Sequence, residues 1–148
     1  MRDLETIQLA LTAAETGHLV FGTLHTSSAY KTVDRVIDVF PPNQQSQIRA
    51  QFSESIEGVM TQTLVKKKTG GRVAALEVMT ATTAVRNLIR EAKLHQIPGI
   101  MQASQKDGMQ TMDMALIDLT SRGVITKAEA QSRSMNPHLF AGTAIGAA

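Results

Sequence analysis

The chain contains no cysteine and no tryptophan, and its aromatic content is 3%, one tyrosine and four phenylalanines in 148 residues. Without thiols there is no disulfide framework, no cysteine-ligated zinc and no cysteine nucleophile, which fits a cytosolic protein. So few aromatics leave a single-strand nucleic-acid binder without stacking platforms. The net charge of +2 is too mild a basic excess to argue for nucleic acid. No apolar run approaches the roughly 20 residues that cross a bilayer, and Met1-Arg2-Asp3-Leu4-Glu5 carries no signal-peptide core. Several catalytic signatures are missing as well: the G-x-S-x-G elbow, H-E-x-x-H, the EF-hand loop and the G-x-x-x-x-G-K-S/T phosphate loop. What is present is 43% hydrophobic and 19% charged residues with eight methionines. That is one domain by length, with a core built from Leu, Ile, Val, Ala and Met.

The chain reads as α/β. Asp3 is a natural N-cap for a helix carrying Leu4, Ile7, Leu11 and Ala14 on one face, and Gly17 stops it. The stretch Gly17-His18-Leu19-Val20-Phe21-Gly22-Thr23-Leu24-His25-Thr26-Ser27-Ser28 then organises the rest. Its apolar middle predicts a buried strand over His18–His25, delivering polar side chains from its carboxyl end, where α/β sheets collect ligands. Thr26, Ser27 and Ser28 are cap candidates for a helix with Ala29, Val33, Val36, Ile37 and Phe40 inward, ended by Pro41-Pro42. Asn43 is expected to cap the next helix, with Ile48, Phe52, Ile56, Val59 and Met60 inward. Thr61–Val65 and Arg72–Met79 read as strands joined through Lys66–Gly71, whose Gly-Gly pair suits a hairpin turn. The lysines there form a solvated tip. Helices follow: one opened by Thr82 or Thr83, one over Leu94–Ala103 disturbed at Pro98-Gly99, and one with Met109, Met112, Leu116 and Leu119 ending at Gly123. Thr126-Lys127-Ala128-Glu129 is a reciprocal capping box for a last helix ending before Asn136-Pro137.

Two histidines bracket the organising stretch. Period-2 alternation sends His18 and His25 to opposite faces, so they do not form a pair, and His18 is a rim residue. His25 lies beside three hydroxyl residues and a helix N-terminus, a setting that suits an anion such as phosphate. From the residues alone it stays open between that role and a structural one. Asp34 and Asp38, four apart on one helix, read as a solvated face.

Three segments carry a family resemblance. Met1-Arg2-Asp3-Leu4-Glu5-Thr6 resembles the end of the Walker B segment of secretion and type IV pilus ATPases. Gly17–Thr26 resembles their His box. Ala84-Val85-Arg86-Asn87-Leu88-Ile89-Arg90-Glu91 resembles the signature helix of the pilus-retraction, or twitching-motility, branch, with Val85 where isoleucine is usual. Asp34–Pro41 is similar to that branch too, so the resemblance runs to about Pro137. The extension and type II secretion branches insert a four-cysteine zinc loop after the segment matching Gln62–Val65, and this cysteine-free chain turns there through Lys66–Gly71.

The resemblance implies the C-terminal part of a RecA-like P-loop ATPase domain over 1–80, an α-helical C-terminal bundle over 81–137 and a disordered tail over 138–148. It implies that His25 senses the γ-phosphate, that Thr26 adds a hydroxyl to its network, and that the Ala84–Glu91 helix serves retraction. Arg86 and Arg90, four apart, would pair with a neighbouring subunit or lie on a solvated face. Family members use ATP and magnesium and form hexamers on the inner-membrane platform of the pilus machine. They work in the cytoplasm, without inserting in the membrane. Their phosphate loop and Walker B glutamate precede the segment matching Met1, so this chain is expected not to hydrolyse or hold ATP tightly alone. The exposed edge of the His18–His25 strand is expected to favour self-association. The alternative is a non-enzymatic α/β-helical protein-interaction module or remnant.

Overall fold

The computed structural model describes residues 3–141. Helix α1 spans Leu4–Glu15, and the Asp3 carboxylate accepts the Thr6 amide at 2.8 Å. That hydrogen bond favours the charged form and holds the Asp3 carboxyl below its ordinary value. Ile7 and Leu11 are its buried residues. Gly17, at φ 90°, turns the chain where a side chain would be strained.

The expected strand over His18–His25 does not form. Residues 18–26 lie outside every helix and strand, and the described sheet has only two strands, both later in the chain. Leu19 and Phe21 are 77% and 89% exposed. An apolar run becomes a strand only when a neighbour completes the ladder, and no described strand lies beside this one.

Helix α2 covers Ala29–Asp38, burying Val33, Val36 and Ile37. Helix α3, Pro42–Ser55, begins with Pro42 rather than with an Asn43 cap. A proline at the first helical position loses no hydrogen bond and already has helical φ. Strands β1, Gly58–Lys66, and β2, Arg72–Thr80, pair antiparallel from Gly58 opposite Thr80 to Lys66 opposite Arg72. Gly70 and Gly71 turn the hairpin at φ 90° and 73°, in the left-handed region where glycine is unstrained. The turn is also anchored, since the Lys68 amide donates to the Val124 carbonyl.

Helical segments follow. Helix α4, Thr83–Arg90, is capped by Thr82. Helix α5, Ile97–Ala103, carries Pro98 in its first turn, so the break falls upstream, where a 3-10 turn covers Leu94–Gln96. Helix α6, Met112–Ser121, is capped by Thr111, and Gly123 follows it at φ 70°. Helix α7, Lys127–Arg133, is followed by a 3-10 turn over Pro137–Phe140. The capping box is only half made. Thr126 accepts the Glu129 amide, but the Glu129 carboxylate takes the Lys66 amide at the end of β1 instead of reaching back.

The inward face of the hairpin holds Val59, Thr61, Val65, Ala75, Glu77 and Met79. Two apolar clusters share it. The first gathers Ile7, Val33, Ile37, Phe40 and Met79 with Val85, Ile89, Ile97 and Met101, all beyond residue 80 in the last four cases. The second gathers Val65, Ala75, Leu116, Ile125, Ala130 and Phe140. Phe140 thus packs within the segment expected to be a tail, while 142–148 lie outside the described residues.

Candidate functional site

His25 and Thr26 open onto a hollow of about 670 Å³ at the foot of α2, whose far wall carries Lys31, Asp34, Arg35 and Asp38. The His25 ring is exposed. Thr26 is held in place, its hydroxyl 2.6 Å from that of Thr32, which in turn donates to the Ser28 carbonyl. His18 lies elsewhere. Its Nδ1 is 3.1 Å from the Thr16 hydroxyl and 3.3 Å from the Ala13 carbonyl, at the C-terminus of α1. The histidines are separate, as the sequence implied, although the cause is a turn onto α1 rather than the alternation of a strand.

At the helix N-terminus beside His25, which the sequence marks as suited to an anion, the first amide is taken within the chain. The Ala29 amide, the first of α2, donates to Glu77 Oε1. The other oxygen, Oε2, accepts the Met112 amide at 3.1 Å, the first of α6, and the Thr61 hydroxyl also donates to Oε1. Glu77 is 6% exposed, and none of the ion pairs among the described residues includes it. Two helix dipoles and three hydrogen bonds stand in for a counter-ion. Sequence reasoning missed this residue. Its one signal was a glutamate at an inward position of an otherwise apolar strand.

Helix α4, with the Ala84–Glu91 motif, is not part of the hollow. Val85 and Ile89 are fully buried in the first core, and Leu88 is packed against it. Arg86 and Arg90 share a face beside α3, with Arg86 half-buried and Arg90 exposed. The Arg86 guanidinium donates to the carbonyls of Ser53, Glu54 and Ala81, and pairs with Glu57 at 3.2 Å. It therefore caps the C-terminus of α3, where free carbonyls attract a cation. Arg90 pairs with Glu54 and with Asn87. Ala84, Asn87 and Glu91 are exposed, and the Lys93 ammonium beside Glu91 holds that carboxyl below its ordinary value.

Around the hollow lie an imidazole, two hydroxyls, two cations and two carboxylates, so its charges of opposite sign balance. The first amide of the helix beside it is taken by Glu77. No trio of acids and histidines is set to hold a metal ion among the described residues.

The chain is α/β, with a two-stranded hairpin among helices and helices at its C-terminal end. The family model for the type II/IV secretion system protein matches residues 1–131, and the chain belongs to that family. It is 56% identical over 140 residues to the type IV pilus retraction ATPase PilT of Pseudomonas aeruginosa, covering 95% of this chain and 41% of that protein. It is 55% identical over 137 residues to a twitching motility protein of Neisseria gonorrhoeae, covering 92% and 37%. The crystal structure of the pilus retraction motor PilT with bound ADP superposes with a TM-score of 0.84 at 49% identity, covering 94% of this chain and 39% of that one. The chain thus spans about two fifths of the length of the relatives it matches.

Proposed function

We propose that this chain supplies the His-box and C-terminal part of an ATPase motor that drives type IV pilus retraction, working as a homo-hexamer in the cytoplasm against the inner-membrane platform of the pilus. The observation that carries this reading is the continuous 56% identity to a retraction ATPase over 140 residues. The phosphate-binding loop comes from sequence this chain does not contain, as ATP binding requires a cradle of backbone amides and a lysine. In this reading His25 meets the γ-phosphate from the hollow, Thr26 orients beside it through Thr32, and the Ala84–Glu91 helix serves retraction by fixing α3. ATP supplies the free energy when bound, and its magnesium is held by groups outside this chain.

The test replaces the matching 140 residues of the Pseudomonas retraction ATPase with this chain. The chimera is expected to hydrolyse ATP and restore twitching, and His25→Ala in it to lower turnover about 100-fold or more, the scale of losing a preorganised donor. An inactive but folded chimera overturns the proposal. Unchanged turnover in His25→Ala overturns the sensor role, and magnesium-dependent hydrolysis by the 148-residue chain alone overturns the need for an external phosphate loop.

A further inference from the structure

Glu77 lies outside the hollow, yet it touches the helix that follows the hollow's histidine. One planar carboxylate receives the first amide of α2 through Oε1 and the first amide of α6 through Oε2. Its two oxygens cannot move independently, so a tilt that improves one bond strains the other. Burial makes both bonds costly to lose. The position on the hairpin matters equally. Met79 on one side of Glu77 belongs to the first core, Ala75 on the other side to the second. The carboxylate therefore sits at the seam between the two cores, with one helix from each docked on it. At the α2 end the chain leads within three residues to Thr26, whose hydroxyl is fixed through Thr32 on α2 itself.

The geometry points to Glu77 as a positioning residue that couples the His25–Thr26 segment to α6 and the second core. A displacement of α6 then reaches the histidine through the Met112–Glu77–Ala29 chain of hydrogen bonds. Because no residue of α6 or the second core lines the hollow, this offers a route by which an event at α6 alters the His25 segment from a distance. The coupling itself is a property of this chain, and only its use in catalysis rests on the proposed function.

Amide exchange and histidine ring signals, read by NMR on the full chain, test it. Thr111 accepts the Met114 amide at the start of α6, so Thr111→Ala loosens that helix end. In the otherwise unmodified chain this substitution is expected to speed exchange at Ala29, up to about fivefold, and to shift the His25 ring signals. Glu77→Gln is expected to speed exchange at both Ala29 and Met112 about tenfold or more. On that background Thr111→Ala should no longer affect Ala29. The coupling is overturned if Thr111→Ala leaves Ala29 and His25 unchanged, or changes them equally in both backgrounds. Should Glu77→Gln fail to fold, the comparison of Thr111→Ala with the unmodified chain still decides. In the active chimera Glu77→Gln is expected to lower kcat with the KM for ATP unchanged, and an unaltered kcat there overturns the catalytic use. An inactive unsubstituted chimera counts against the proposed function alone and leaves the exchange result standing.

Discussion

Ser28 and Thr26 are near neighbours with opposite environments. The Thr26 hydroxyl shares a hydrogen bond with Thr32, whereas the Ser28 hydroxyl is buried and has no hydrogen-bond partner among the described residues. Ser28 stands at the N-cap of α2, where its oxygen would ordinarily take an amide of the first turn, yet it makes no such bond. Glu77 has taken the first amide of that helix instead. An unpaired buried hydroxyl costs about 1–3 kcal/mol. Ser28→Ala is therefore expected to leave stability unchanged or raise it by about 1 kcal/mol in urea unfolding. A loss of similar size would show that the hydroxyl has a partner after all.

Helices α3 and α4 share the first apolar core, and Arg86 adds hydrogen bonds to the carbonyls at the C-terminal end of α3. Arg86→Ala removes donors from three carbonyls and is expected to cost about 2 kcal/mol, read as a lower urea midpoint. Arg86→Lys keeps the charge but loses the planar fork that reaches several oxygens at once, and should recover less than half of that. Arg90→Ala should stay within about 0.5 kcal/mol, because its pair with Glu54 is largely exposed. Equal effects at the two arginines would refute the capping assignment.

These elements also mark what the sequence makes legible. Asp3, Gly17, Thr82, Gly123 and Thr126 act within a few residues of themselves, and local signals of that kind place helix ends well. Arg86 was visible as a four-apart neighbour of Arg90, but three of its partners lie 29, 32 and 33 residues away. Glu77 acts across 48 and 35 residues, a distance over which spacing carries no information. The Leu19–Phe21 run failed in the opposite way. It has the composition of a strand, but composition does not provide the neighbour that a strand needs. The hollow around His25 was half legible: the segment was found, but the occupant of its helix N-terminus was not.

As a whole, the molecule is two cores on one face of a hairpin, with an apolar segment left uncovered. Leu19 and Phe21 stand in solvent outside the sheet, and exposed apolar surface of this kind favours association. Static light scattering is expected to give a mass above 16.0 kDa that rises with concentration, and Leu19→Lys with Phe21→Lys should return it toward the monomer. A constant 16.0 kDa species for the unsubstituted chain would exclude this.

The shared carboxylate also limits how freely the parts of this fold can be exchanged. A hairpin bearing Glu77 accepts a different helical unit in place of α6 and α7 only if the newcomer offers a backbone amide to Oε2. Otherwise the graft buries an unpaired carboxylate oxygen, at a cost of at least about 1–3 kcal/mol. Apolar shape alone is therefore an insufficient criterion for recombining this half of the molecule with another. Compatibility is decided by a single polar fitting at the join.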